Sequence, residues 1–253
     1  MRWTASIREF RDPHRIPVLL SAVAGYVDSC TFLGLFGLYV AQVTGSFVVA
    51  GAQMVTHDPG FLIKVLGVPF FLLGGVTTTI IVAIAEAHGR SSYCWTFGLE
   101  GLLLICSLAV GANAAPFHSP NGFAELATAF FGLSAMGVQS AQVRLLMKGV
   151  ASTNVMTTNT TLIAIEAAHM VLAWRRVRHR SGDSDAAAQL ASTRRQLLRL
   201  VSIALGFLGG TVLGAVAFQA AGFWSLLLPA AAILTLTLWA ALIAHGEGWQ
   251  SAA

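Results

Sequence analysis

Residues Gly25 to Gly51 read GYVDSCTFLGLFGLYVAQVTGSFVVAG. The stretch is apolar enough for a bilayer, yet it carries a carboxylate, Asp28, and a polar run from Gln42 to Ser46. A degenerate second copy follows 112 positions later. Gly25 aligns with Gly137, Gly37 with Gly149, Gln42 with Asn154, Val43 with Val155 and Ser46 with Thr158. There the polar run becomes STNVMTTNTT, Ser152 to Thr161. Two apolar segments, each interrupted by a polar run at the same offset, read as the functional centre of a duplicated membrane protein.

The rest of the chain points to lipid as solvent. Of 253 residues, 56% are hydrophobic and 10% charged, against about 25% charged in soluble domains. A soluble fold cannot hide that much apolar surface. The formal charge of +4 does not point to nucleic acid, because the basic residues sit in short segments between apolar runs, as in cytoplasmic membrane loops. Cys30, Cys94 and Cys106 lie in apolar surroundings without paired spacing, so they read as small core residues. The N-terminus imitates a signal peptide, but its apolar run continues to Val40 and more runs follow. A retained first span is expected.

Taken in order, the sequence predicts a basic N-terminal segment at 1–15, with Trp3, Ile7 and Phe10 at helical spacing as in an interfacial helix. A first membrane half follows at 16–112, then a loop at 113–122. A second half at 123–245 carries a soluble basic insertion at 175–199, and a tail closes the chain at 246–253. Spans are expected at 16–38, 61–87, 93–112, 123–146, 200–221 and 223–245, each near the ~20 residues that cross a bilayer. The piece 43–54 is too short to cross and suits a re-entrant half-helix. Its counterpart is a polar-starting helix at 152–174. Gly74-Gly75 matches Gly209-Gly210 at an offset of 135, which is the 112-residue offset lengthened by the insertion.

Two topologies compete. If all eight apolar pieces cross, the repeats are parallel. If the two polar-starting pieces do not fully cross, the fold is an all-α bundle of six transmembrane helices with two re-entrant helices, in two inverted repeats of three spans. With the N-terminus inside, the six-span arrangement puts Arg2, Arg8, Arg11, Arg15, Arg90, Arg144, Lys148 and the seven arginines of 175–199 on one side, with Lys64 alone on the other. The eight-span arrangement moves Arg90, Arg144 and Lys148 across. The positive-inside rule favours six spans with both termini cytoplasmic.

Candidate site residues follow from polarity inside apolar runs. Asp28 lies about mid-span, where a carboxylate is costly; it reads as an ion, proton or polar-solute contact, against a buried acid that only fixes helix packing. Its mate by offset is Ser140, flanked by Gln139 and Gln142, so the charge is not duplicated. Gln42, Thr44, Gly45 and Ser46 in the first run, and Asn154, Thr157, Thr158 and Asn159 in the second, combine donors and acceptors with a glycine break; the structural alternative is interhelical bonding and capping. Glu100 is a second intramembrane acid, whereas Glu86 and Glu125 lie near span ends and read as solvated. Glu166 and His169 share a helix face. Gly206, Gly210 and Gly214 form a small-residue face for close helix contact, within one subunit or in a homodimer. Arg175, Arg176, Arg178 and Arg180 read as an anionic-lipid anchor. There is no Walker motif, dinucleotide fingerprint, GxSxG or metal spacing, so no enzyme chemistry, cofactor or metal is expected.

Over AGYVDSCTFLGLFGLYVAQVTGSFV the chain resembles the YoaK-like family, the domain of unknown function numbered 1275. Gly25, Tyr26, Val27 and Asp28 match the family's first element; Thr44 and Gly45 match its second, with Ser46 where Asn is usual. Gly137, Gln139 and Ser140 match its Gly-x-Gln-Ser stretch. The resemblance covers roughly 15–245. It implies a six-span protein of the bacterial inner membrane and supplies no substrate. The expectation from sequence is a transporter or permease for a small polar or ionic solute, proton- or ion-coupled. A membrane scaffold or accessory subunit is the alternative, and a membrane-embedded enzyme comes third.

Overall fold

The computed structural model describes residues 15–179 and 184–250, with side chains at 15–178 and 185–243. The expected N-terminal helix, Arg180 and the last three residues lie outside the described residues. The regular elements of the described chain are all helices: α1 (Arg15–Gly34), α2 (Val43–Thr56), α3 (Phe61–Ala87), α4 (Tyr93–Ala114), α5 (Phe123–Leu146), α6 (Met156–His179), α7 (Ser184–Ala221), a 3-10 turn (Gly222–Leu226) and α8 (Leu227–Gln250).

Four stretches are long and apolar enough to cross a bilayer: Arg15–Gly34, Phe61–Ala87, Tyr93–Ala114 and Asp185–Ile243, the last holding both α7 and α8. Their outward faces carry Leu72, Leu73, Val76, Ile80 and Ile84 on α3, and Leu205, Leu208, Val212 and Val216 on α7. Continuous apolar faces of this kind are stable against lipid, not water. α5 has the expected bounds but falls outside the four, because Gln139 and Gln142 lower its apolarity. It is instead buried along much of its length between Glu125 and Val143, against α3 and α4 and, more lightly, α1.

Three expected boundaries are corrected. The first helix stops at Gly34 rather than 38, and the chain turns back through Phe36 and Gly37, both at positive φ. The helix expected at 152–174 starts later and ends later: Ser152–Val155 of the second polar run stay outside it, Met156–Thr161 form its first turns, and α6 continues to His179. The basic insertion is not a loop: α6 and α7 extend into it as an antiparallel hairpin, with Glu166 bonded to Gln196 and Arg176 to Gln189. α7 has 38 residues, about 57 Å at ~1.5 Å per residue, and so overshoots an apolar core of ~30 Å.

Contact register fixes helix direction. α7 runs parallel to α1, with Gly206, Gly210 and Gly214 against Val18, Ala22 and Tyr26. α3 runs parallel to α5, with Gly67 at Leu133 and Phe71 at Gly137. α5 runs opposite to α1: Gln139 meets Leu20, while Gly132 meets Thr31. α4 runs opposite to α5, from Tyr93 at Leu146 to Ser107 at Thr128. α8 runs opposite to α4, with Gly98 at Thr237 and Gly101 at Leu234. Hence α3 is antiparallel to α1, although α2 lies between them in the chain. The reason is that α2 follows a segment that has already turned back, and it pairs antiparallel with α3, Val43 at Gly67 and Gln53 at Gly60.

The two parallel crossings repeat one another contact for contact. A Cβ on Gly74 would strike the Ser134 carbonyl, and one on Gly210 the Ala22 carbonyl; Ser134 and Ala22 are 112 apart. Gly137 sits on the Phe71 carbonyl and Gly25 on that of Phe207. The matching partner of Gly74 is therefore Gly210, one residue further on than the sequence alignment placed it. Gly206, Gly210 and Gly214 serve an intrachain contact.

Gly74→Ala and Gly210→Ala each force a methyl into a backbone carbonyl, an overpacking cost of about 1–3 kcal/mol. Gly209→Ala meets nothing within 4 Å and gains helix propensity. Thermal denaturation in detergent is expected to show matched losses for the first two and none for the third.

Candidate functional site

Where α1 ends, backbone groups are left without helical partners inside an apolar bundle. Asp28, one and a half turns earlier, reaches them. Its Oδ1 accepts the N–H groups of Val40 and Ala41, both at 2.7 Å, and its Oδ2 accepts that of Gln42 at 3.3 Å. The carboxylate is 4% exposed. Ser46 closes the other side of the segment, accepting from the Tyr39 N–H and donating to the Tyr39 carbonyl, both at 3.1 Å. Lys64, unremarked in sequence except as an outside charge, is fully buried. Its ammonium donates to the carbonyls of Phe36 (2.8 Å) and Gly60 (3.4 Å). Three side chains thus hold the backbone of 36–42 inside the fold.

The second polar run is anchored by a different residue. The side-chain amide of Gln139 on α5 donates to the Leu20 carbonyl (2.9 Å), Thr153 Oγ1 (3.1 Å) and Asn154 Oδ1 (3.0 Å). Ser21 donates to the Ile203 carbonyl at 2.8 Å and lies within 3.3 Å of that of Thr153. Asn159 donates to the Ser152 carbonyl at 2.6 Å. Gln139, not Ser140, is therefore the counterpart of Asp28 by role. The two runs do not face each other. Val40 packs on Gly132 and Thr153 on Ser21, at opposite ends of the α1–α5 contact.

The structure brings Asp28, Gln42 and Ser46 together in one place, and Asn154 with Asn159 in another. Gly45 packs on the Tyr39 ring. Thr44, Thr157 and Thr158 point outward and are exposed. Glu100 belongs to neither cluster: it is fully buried on α4, where Gln142 of α5 donates to its Oε2. Oε1 of Glu100 and Oε1 of Gln142 both lack a partner among the described residues, two acceptors with no donor. Glu125, expected in solvent, is 8% exposed, its carboxylate turned back over Gly122 at the start of α5, where a helix N-terminus favours negative charge. Glu166 and His169 lie 3.9 Å apart on the α6–α7 hairpin. The cysteines are free, and no His/Cys/Asp/Glu group suited to a metal occurs among the described residues.

A cleft of about 230 Å³ opens beside Asp28 between α1 and α7, lined by Asp28, Ser29, Phe32, Leu33, Tyr39, Gln42, Phe207, Thr211 and Ala215. Sequence pointed to Asp28 and Gln42; it missed Ser29 and Thr211, and also Tyr39 and Phe207, which carry little polarity contrast with their neighbours. Lys64 did leave a signal, as the lone basic residue of the 27-residue α3.

An all-helical protein with membrane-length apolar helices and polar broken segments in its interior is the class defined here. Over residues 16–239 the chain matches the family described as "Protein of unknown function (DUF1275)", and it belongs to that family. Comparison with curated proteins and with solved structures gives no match.

Asp28→Ala leaves three backbone donors unpaired, at about 1–3 kcal/mol each for buried groups, and is expected to prevent folding or to lower the melting temperature sharply. Glu100→Gln exchanges one of two buried, partnerless acceptors for a donor and removes a buried acid, so its melting temperature in detergent is expected to equal or exceed that of the native protein. Glu100→Ala lowers it.

Proposed function

We propose that this protein is a six-span membrane transporter for a small polar or ionic solute, built as two inverted halves, with the cleft beside Asp28 as its solute site. The observation that carries the reading is the alternation of direction. α1, α4 and α7 point one way and α3, α5 and α8 the other; the chain turns back through 35–42 before the short α2, and α6 follows the second polar run. Repeated halves of opposite sense, each with a broken segment held by an intramembrane side chain, are the architecture in which freed backbone and half-helix ends bind solutes. The arginine-rich α6–α7 hairpin sits at the cytoplasmic face, where Arg175, Arg176 and Arg178, all exposed, meet anionic headgroups. The fully buried Glu100, with its unpaired oxygen, supplies the group through which a proton couples to transport. The membrane is the bacterial inner membrane.

A scaffold reading has one observation in its favour: both oxygens of Asp28 are engaged by backbone. Solute-triggered currents from reconstituted vesicles, across a panel of small amines, amides and carboxylates, separate the two. A current that Glu100→Gln reduces supports transport. No current with any solute, together with a partner that co-purifies stoichiometrically, supports the scaffold.

Topology has its own test. In a chain with its cysteines replaced, single cysteines at Thr56 and Ser119 are expected to react with an impermeant maleimide from outside, and those at Arg90 and Lys148 are not. The opposite pattern belongs to eight spans and removes the inverted-repeat reading.

A further inference from the structure

We infer that the cleft between α1 and α7 selects a small organic cation, an alkylammonium or a similar group; this deepens the transporter reading and rests on it. Four observations converge. The only ionisable carboxylate in the lining is Asp28, and no Lys, Arg or His lines the cleft, so an anion meets repulsion with nothing to offset it. Three rings, Phe32, Tyr39 and Phe207, border the same space, and the first two pack at 5.0 Å between centroids, tilted by 37°. Aromatic faces attract cations, most strongly where water is excluded. Asp28 is not saturated: Oδ1 accepts two short bonds, while Oδ2 accepts one long one at 3.3 Å. A carboxylate offers about four lone-pair sites, which leaves one on the less occupied oxygen. Finally, the hydroxyls of Ser29 and Tyr39 and the side-chain amide of Gln42 have no hydrogen-bond partner among the described residues, and all three border the cleft. They accept the remaining N–H groups of an ammonium or a hydroxyl of the solute.

The size limits the ligand. About 230 Å³ lies below the ~300–1,000 Å³ of drug-sized pockets, so a solute of a few heavy atoms fits and a peptide or nucleotide does not. Because Asp28 also holds the backbone of 40–42, a cation on its second oxygen shares that atom with the Gln42 N–H at the start of α2, which ties the cleft to the broken segment.

Isothermal calorimetry on the full chain in lipid nanodiscs, with propylammonium, tetramethylammonium, propionate and propionamide as probes, tests this. Both ammonium ions are expected to bind and propionate is not. Tyr39→Leu and Phe207→Leu are each expected to weaken ammonium binding about threefold or more, from the loss of one ring, in protein that keeps its native melting temperature without ligand. Asp28→Asn removes binding where the variant folds; where it does not, the two ring variants decide. Propionate or propionamide binding more tightly than the ammonium ions overturns the cation class and leaves the transporter reading standing. Ammonium binding untouched by both ring variants overturns the cleft as the site. Solute currents without ammonium binding have the same consequence.

Discussion

The fold depends on how Asp28 satisfies the backbone at 40–42. A chain inside an apolar bundle tolerates irregular backbone only where side chains, neighbouring helices or a wet cavity take up its polar groups. Residues 35–42 are such a stretch. The carboxylate of Asp28 takes the N–H groups, Lys64 takes the carbonyls of Phe36 and Gly60, and Ser46 takes both groups of Tyr39. Phe36 stands at φ 55°, a conformation that costs an L residue about 1–2 kcal/mol. It is held there because its carbonyl has nowhere else to go but the buried ammonium. Without these contacts the helix would have no reason to stop at Gly34, and α2 would have no fixed start.

The turned-back segment sets the direction of everything after it. Because α2 begins inside the bundle rather than at its far edge, α3 leaves antiparallel to α1, and so can lie parallel to α5. That places the first helix of each half against the third helix of the other. These crossings run on glycine: Gly25 and Gly210 in one, Gly137 and Gly74 in the other, each with a carbonyl where a Cβ would be. Close approach of backbones is how helices gain contact area when lipid offers no hydrophobic drive for association. The halves are thus interleaved, and neither has its own core.

Helix bounds were legible where apolar length and turn residues agreed. Phe61–Ala87 and Phe123–Leu146 were read to the residue, since Pro and Gly in the flanking turns stop a helix from both sides. The end of α1 was not, because Leu35, Phe36 and Leu38 are as apolar as the helix before them; only the reach of a carboxylate from Asp28 unwinds them. The basic insertion at 175–199 gives no apolar signal, yet its alanines and arginines are good helix formers, and α6 and α7 run into it. Of the residues that polarity contrast singles out, Asp28, Asn154 and Glu100 are buried and Gln42 is half-buried. The same contrast also raised Thr44, Thr157 and Thr158, which sit on outward faces, since a polar run tells nothing of which of its members turn inward. The aromatic walls were invisible for the opposite reason: Tyr39 and Phe207 look like any other apolar residue until the cleft places them around a carboxylate.

The difference between the two halves has a physical origin. The first broken segment presents N–H groups, which call for an acceptor, and Asp28 is the strongest acceptor available. The second presents oxygens, Thr153 Oγ1 and Asn154 Oδ1, which call for a donor, and Gln139 supplies one without charge. A neutral amide completes its segment and leaves no field behind. A carboxylate completes its segment and still carries a charge, in a medium where an unpaired charge is costly. Three backbone N–H groups face that carboxylate, and the space on its other side is bordered by aromatic rings and by no Lys, Arg or His. The two broken segments therefore differ in one respect: a carboxylate that borders a cleft holds the first, and a neutral amide holds the second.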